Sequence, residues 1–380
     1  MDFYLGAMDL IQIRHNLHSI AELSGQEKRT SELIIKYLSD LHPDILLSNI
    51  GGFGIIAVFD SKKEGSNVLF RADIDALPIT ETNIFSYKSS KNGVSHKCGH
   101  DGHAAIMLGL AKYVSENRPS KGKLTILFQP AEEIGKGAYN VINDPQFTQP
   151  APQFAFALHN IPGFPIQSVV VKNGTFAAAS KGIRIELKGI ASHASEPENG
   201  NSPVAALARL MQDIPAMANP NPDSDDFSLI TIVHISSGTP AFGSTPGNGL
   251  LMLTLRAWND SVIDKLTGQI IEKTKSVSTI YSLDHSIDFH DEFPGLINDD
   301  VCADIVRNAA SKLSLKVIEP NLPFRWSEDF AHFTSMTKGV LFGIGSGTDH
   351  PPLHNPEYDF PDEVIETALN LWKEIYNSSF

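Results

Sequence analysis

The sequence is poor in cysteine. Cys98 and Cys302 are the two among 380 residues, too few for a disulfide framework, so both read as reduced thiols. Positive charge is also short: 30 Lys and Arg stand against 44 Asp and Glu, a formal net charge of −14, which excludes the basic footprint of a nucleic-acid binder. No run approaches the roughly 18 apolar residues needed to span a bilayer. Met1-Asp2-Phe3-Tyr4-Leu5 lacks the basic and apolar regions of a secretion signal. A soluble, cytoplasmic protein is expected, with neither membrane nor nucleic acid as partner. Repeats and low-complexity tracts are missing as well. What is plentiful is core material, 42% hydrophobic residues, and histidine, of which there are 14.

Length alone suggests two or three domains at about 150 residues each. Helical spacing of apolar residues runs over 10–17, 27–41 and 103–116, and short buried strands read at 54–59, 67–70, 123–128 and 154–159. Their alternation predicts an α/β unit with a mixed or parallel sheet. Near Ala177 the pattern changes. Strand 182–189, helix 202–217, strands 229–235 and 250–256 and helix 261–279 describe an α+β piece. Helices 299–313 and 362–378 and strand 340–345 then return to the first pattern. The chain therefore reads as α/β in two domains, a discontinuous one over 1–177 and 291–380 interrupted by an insert over 178–290.

Polar chemistry concentrates at the predicted strand ends. His96-Lys97-Cys98-Gly99-His100-Asp101-Gly102-His103 places a thiol and an imidazole two residues apart, types and spacing that suit Zn²⁺ and similar ions. His103 reads as the start or cap of the following helix and is left out of the ligand set. Gln129-Pro130-Ala131-Glu132-Glu133 follows an apolar strand, where α/β sheets gather ligands. On an extended segment adjacent side chains diverge, so one carboxylate can ligate while its neighbour acts as a base. His159 ends an apolar run, Asp73 and Asp75 follow another strand, and His354 sits among prolines. Cys302, inside a helical pattern, reads as core. Gly343-Ile344-Gly345-Ser346-Gly347-Thr348 has neither a dinucleotide fingerprint nor the spacing of a serine nucleophile elbow.

Arg71 to Pro78, His96 to Gly109, Gln129 to Glu133, His159-Asn160, Ser192-His193-Ala194, Ser327 to Phe330 and Leu353 to Asp362 resemble, in order, the motifs of the M20 metallopeptidase family. Within it they look like the amidohydrolase branch of hippurate hydrolases, N-acyl-amino-acid deacylases and auxin-conjugate hydrolases. The resemblance implies two divalent metal ions (Zn, Mn, Co or Ni) held by Cys98, His100, Glu133, His159 and His354. It implies Glu132 as general base, and Asp75 as the acid behind the ligands. Asp73 stands where relatives outside this branch have a histidine ligand and is not counted as one. The discontinuous domain would then be catalytic, and the insert a lid that mediates homodimer formation. His193, in a Ser-His-Ala-Ser motif, would stabilise an oxyanion in its own or a partner's site. Arg256 and Asn248 are candidate contacts to substrate. Lys97 departs from the small residues frequent in relatives, so a change in pocket electrostatics is expected.

The function so implied is metal-dependent hydrolysis of the amide bond of N-acyl-L-amino acids. An M20-type dipeptidase or carboxypeptidase, and a non-hydrolytic relative that binds small molecules, stand as alternatives.

Overall fold

Strands built around continuous apolar runs need cover on both faces, and the chain supplies it. In the computed structural model, which describes residues 9–147 and 152–380, strands Gly54–Asp60, Asn67–Asp73, Lys123–Gln129 and Phe154–Ile161 are buried along almost their whole length. They belong to an eight-stranded mixed sheet, whose order by residue number is 45–50, 54–60, 123–129, 67–73, 154–161, 338–345, 169–170 and 317–318. Strand 67–73 runs parallel to both 123–129 and 154–161, and 338–345 runs parallel to 154–161, so these four strands end on the same side.

Helices Leu10–Ser19, Lys28–Ser39, His100–Glu116, Asp300–Lys312 and Val364–Ser379 share one apolar cluster with the sheet. Cys302 lies inside that cluster and is fully buried. Helix 300–312 has Asp299 as its N-cap, whose carboxylate accepts the Cys302 N–H at 3.1 Å.

Two units separate by their internal packing. One holds the chain through Phe176 with Ile297–Asn321 and Asp329–Phe380; the other holds Ala177–Leu296 with Leu322–Glu328. The second is built on a four-stranded antiparallel sheet in the order 228–237, 248–257, 179–188 and 284–293. Strand Asn248–Ala257 alternates between buried and half-buried positions, and its buried Leu251, Leu253 and Leu255 pack with helices Val204–Asp213 and Asp260–Ile280. The helix expected over 202–217 is shorter than its pattern. Pro215 bars a continuous α-helix through Ile214, and residues 215–217 form a separate 3₁₀ turn.

Among the described residues no helix is long and apolar enough to cross a membrane.

Candidate metal centre and active site

Three chain segments at the carboxyl ends of parallel strands, the start of a helix and the loop before the last helix bring together side chains of the types that can ligate a metal. The 67–73 strand leads to Asp75, the 123–129 strand to Glu132 and Glu133, and the 154–161 strand carries His159. Helix 100–116 begins here as well. Its N-cap, Gly99, has φ 91°, and a Cβ at that position would lie 2.4 Å from Asn160 Oδ1, so glycine is needed on both counts. The tight start brings Cys98 and His100 to one point.

The donor atoms of Cys98, His100 and His159 lie within 4.8 Å of one another, as do those of Cys98, Glu133 and His354, and those of His100, Glu132 and Glu133. Cys98 is thus common to the first two groups. Cys98 Sγ is 3.5 Å from His159 Nε2, and His354 Nε2 is 3.5 Å from Glu133 Oε2. Cys98, His100, Glu132 and His159 are buried, whereas the His354 side chain is 51% exposed and marks the open side of the cluster.

Hydrogen bonds fix which nitrogen each ring presents. The carbonyls of Asp75 and Asn160 can only accept, so His100 Nδ1–H donates to the first at 3.0 Å and His159 Nδ1–H to the second at 2.8 Å. Both rings therefore turn Nε2 toward the cluster, the tautomer a metal requires. Asp75 Oδ2 accepts the Glu133 N–H at 3.0 Å and the Ser24 hydroxyl at 2.7 Å. Burial opposes ionisation of Asp75, but the bonds from His100, Glu133 and Ser24 hold its carboxyl below the usual range.

The donor set fits a divalent cation. Among the described residues His100 Nε2 and Glu133 Oε1 are buried without a hydrogen-bond partner. Burial pushes the Cys98 thiol well up, with Glu133 and Glu132 adding to it, and raises the Glu133 carboxyl to about 8. Burial depresses His159 and His354. Burial also opposes charge on His100, yet Asp73, Asp75 and Glu133 outweigh it and raise that ring to about 10. A thiol, carboxyls and imidazoles crowded together in low dielectric are the donor chemistry of a cation site.

In the second unit, His193 lies on the short strand Ser192–His193, paired with Ser244–Thr245. The Ser195 N–H donates to His193 Nδ1 at 3.1 Å, so in the neutral ring the proton sits on Nε2, which is left as a donor. Arg256 Nη1 donates to Arg325 O at 2.8 Å and Ser327 Oγ at 2.9 Å, and burial lowers its pKa from the ordinary value. Asn248 is exposed at the start of its strand.

Residues 69–378 match the family model for peptidase family M20/M25/M40. The chain belongs to that family. It is 33% identical to an N-acetyl-L-cysteine deacetylase of Bacillus subtilis over 364 residues, covering 94% of this chain and 85% of the relative. It is 30% identical to a hippurate hydrolase of Campylobacter jejuni, covering 96% of this chain and 94% of the other. Among solved structures it resembles a Bacillus subtilis dinuclear metal-binding peptidase of the M20 family, with a TM-score of 0.81, 25% identity, and coverage of 97% and 96% of the two chains.

Around this M20 site the structure corrects several sequence expectations. His103 neither starts nor caps the helix, which begins at His100. It is buried in the first turn, with Nδ1 2.5 Å from Asp73 Oδ1 and Nε2 2.5 Å from Asn160 Oδ1. Glu132 and Glu133 do not lie on an extended segment. Ala131 at φ 54° and Gly135 at φ 65° fold residues 132–135 into a turn closed by Gly135 N–H on Glu132 O at 2.8 Å. Lys97 carries its charge away from the cluster. Its ammonium is buried against Glu81 Oε2 (3.1 Å), Asn83 Oδ1 (2.8 Å) and Tyr358 O (2.7 Å). Asp101 faces away too, pairing with Arg14 at 2.9 Å and His18 at 2.8 Å.

The sequence reading missed Arg14, His18, Glu27 and Glu81. Arg14 and His18, four apart on an otherwise amphipathic helix, are the signal that could have found the first two.

Proposed function

We propose that this chain hydrolyses the amide bond of N-acyl-L-amino acids, releasing a carboxylic acid and the free amino acid. The observation carrying this reading is the convergence of one thiol, three imidazoles and Glu133 on a single strand-end cluster, with a second carboxylate, Glu132, beside it. Support comes also from relatives that deacetylate N-acetyl-L-cysteine and hydrolyse hippurate.

We assign Cys98, His100, Glu133, His159 and His354 as the residues that would hold two divalent ions; the mixed S, N and O donors would suit Zn, Mn, Co or Ni. When bound, the ions polarise the substrate carbonyl and make a water molecule more acidic. Glu132 moves the protons. Its carboxylate takes one from the attacking water as the new C–O bond forms, then gives it to the amide nitrogen as the C–N bond breaks. Asp75 holds the His100 ring and the Glu133 backbone in place for that exchange. His193 offers its Nε2–H to the developing oxyanion. The planar fork of Arg256 suits bidentate pairing with the substrate carboxylate, and Asn248 is a further substrate contact. The insert, in this reading, is a lid and homodimer element of a cytoplasmic enzyme.

A panel of N-acetyl and N-benzoyl amino acids set against dipeptides, run with each metal in turn, tests the assignment by release of free amino acid. Turnover of the acyl substrates is expected to dominate; exclusive cleavage of dipeptides would replace this function with a peptidase. In the same assay Arg256→Ala is expected to raise KM by about 10- to 100-fold, the size of one lost charged hydrogen bond of about 1.5–3 kcal/mol, with kcat little changed. An unaltered KM removes Arg256 from the substrate site.

A further inference from the structure

We propose that Glu27, together with Ser24, is a positioning residue for the general base, gripping the turn that carries Glu132 and Glu133; this rests on the role assigned to Glu132 above. Glu27 is fully buried, and its Oε1 accepts two backbone N–H groups, from Gly25 at 2.8 Å and from Ala131 at 2.9 Å. Ala131 immediately precedes Glu132 and sits at φ 54°, a left-handed conformation that a Cβ disfavours and that persists where the surroundings over-determine it. The other side of the same residue is also held, since Gly137 N–H donates to Ala131 O at 3.0 Å.

The far end of the turn is tied to the same segment. Glu133 N–H donates to Asp75 Oδ2, and that oxygen also accepts the Ser24 hydroxyl at 2.7 Å. Residues 24–27 therefore reach Ala131 directly and Glu133 through Asp75, with Glu132 between the two anchor points. A general base must stand within hydrogen-bond reach of the proton it takes, and a displacement of about 1 Å costs about 10²-fold in rate. Burial pushes the Glu27 carboxyl up to about 7, the Asp75 charge adding to this while the backbone donors oppose it. A neutral carbonyl at this position can therefore replace Oε1 as acceptor, which makes Glu27→Gln the conservative variant.

The test compares Glu27→Ala and Glu27→Gln as metal-loaded full chains, reading kcat, KM, metal content and amide hydrogen exchange. Glu27→Ala is expected to lower kcat by about 10- to 100-fold, with KM within about twofold and metal content unchanged. Exchange should quicken over residues 129–137 and stay as in wild type over strand 67–73 and helix 100–116. Glu27→Gln is expected to restore both kcat and exchange. Wild-type kcat and exchange in Glu27→Ala would overturn the proposal, as would equal losses in both variants with exchange raised throughout, the mark of a residue that only stabilises the fold. If Glu27→Ala does not fold, Ser24→Ala replaces it, with quickened exchange over 129–137 expected and wild-type exchange overturning the proposal. Failure of the wild-type chain to hydrolyse any N-acyl amino acid would defeat the functional reading alone, because the exchange comparison still decides the role of Glu27.

Discussion

Glu132→Gln is expected to bind metal as the wild-type chain does and to lose about 10²–10⁴-fold in kcat. The substitution keeps the shape of the side chain and removes its ability to take up and release a proton. Glu132 is 5% exposed, and its carboxylate lies beside the His100 imidazole and the Glu133 carboxylate in one donor group, so bulk water is poorly placed to substitute for it. The size of the loss follows from the double duty assigned to one group, since the same carboxylate serves the attack and the departure of the amine. Elemental analysis separates this outcome from metal loss. A fully loaded variant that turns over near the wild-type rate would end the assignment of Glu132 as base.

Cys98→Ala is expected to act on metal content rather than on the chemical step. Its sulfur belongs both to the group with His100 and His159 and to the group with Glu133 and His354, so truncation removes a donor from each. Removing partners that merely orient ligands weakens metal binding by about 10–100-fold, and loss of a shared ligand should exceed that. The variant should therefore hold fewer than two ions per chain at metal concentrations that saturate the wild type, with activity falling accordingly. Unchanged stoichiometry would exclude Cys98 from the centre. Folding should survive, because the buried thiol is crowded by Glu133 and Glu132 and brings no favourable charge of its own.

Legibility of the fold followed the continuity of the apolar pattern along each strand. Strands 54–60, 67–73 and 123–129 lie inside the large sheet, covered on both faces, and their continuous apolar runs were readable. Strands Ile45–Ile50 and Asp284–Phe293 went unread, and both are edges. The second, Asp-His-Ser-Ile-Asp-Phe-His-Asp-Glu-Phe, is polar and exposed along most of its length, as an edge that must not pair with another chain tends to be. Helix 100–116 was read three residues short because its cap is a left-handed glycine, with no capping side chain to announce it.

At the site, candidate ligands were visible because each lies in a short, chemically dense motif. Their supports were not. Asp101 is paired with Arg14 across 87 positions, Glu27 reaches Ala131 across 104, and Lys97 bonds Tyr358 O across 261. Such bonds exist only once the strand ends have been brought together, and nothing in local pattern specifies them. The Glu132–Glu133 turn belongs to this class. Its geometry depends on Ala131 accepting a left-handed backbone, and the residue type gives no hint of it.

In the function proposed for this chain, one strand-end cluster holds two metal ions and hydrolyses an N-acyl amino acid. The most direct measurement strips the wild-type chain with a chelator and titrates metal back while following release of free amino acid from an N-acetyl amino acid. The stripped chain is expected to be silent, with activity rising on added metal to a plateau at two equivalents. Full turnover by the stripped chain, or a plateau unrelated to metal bound, would contradict it.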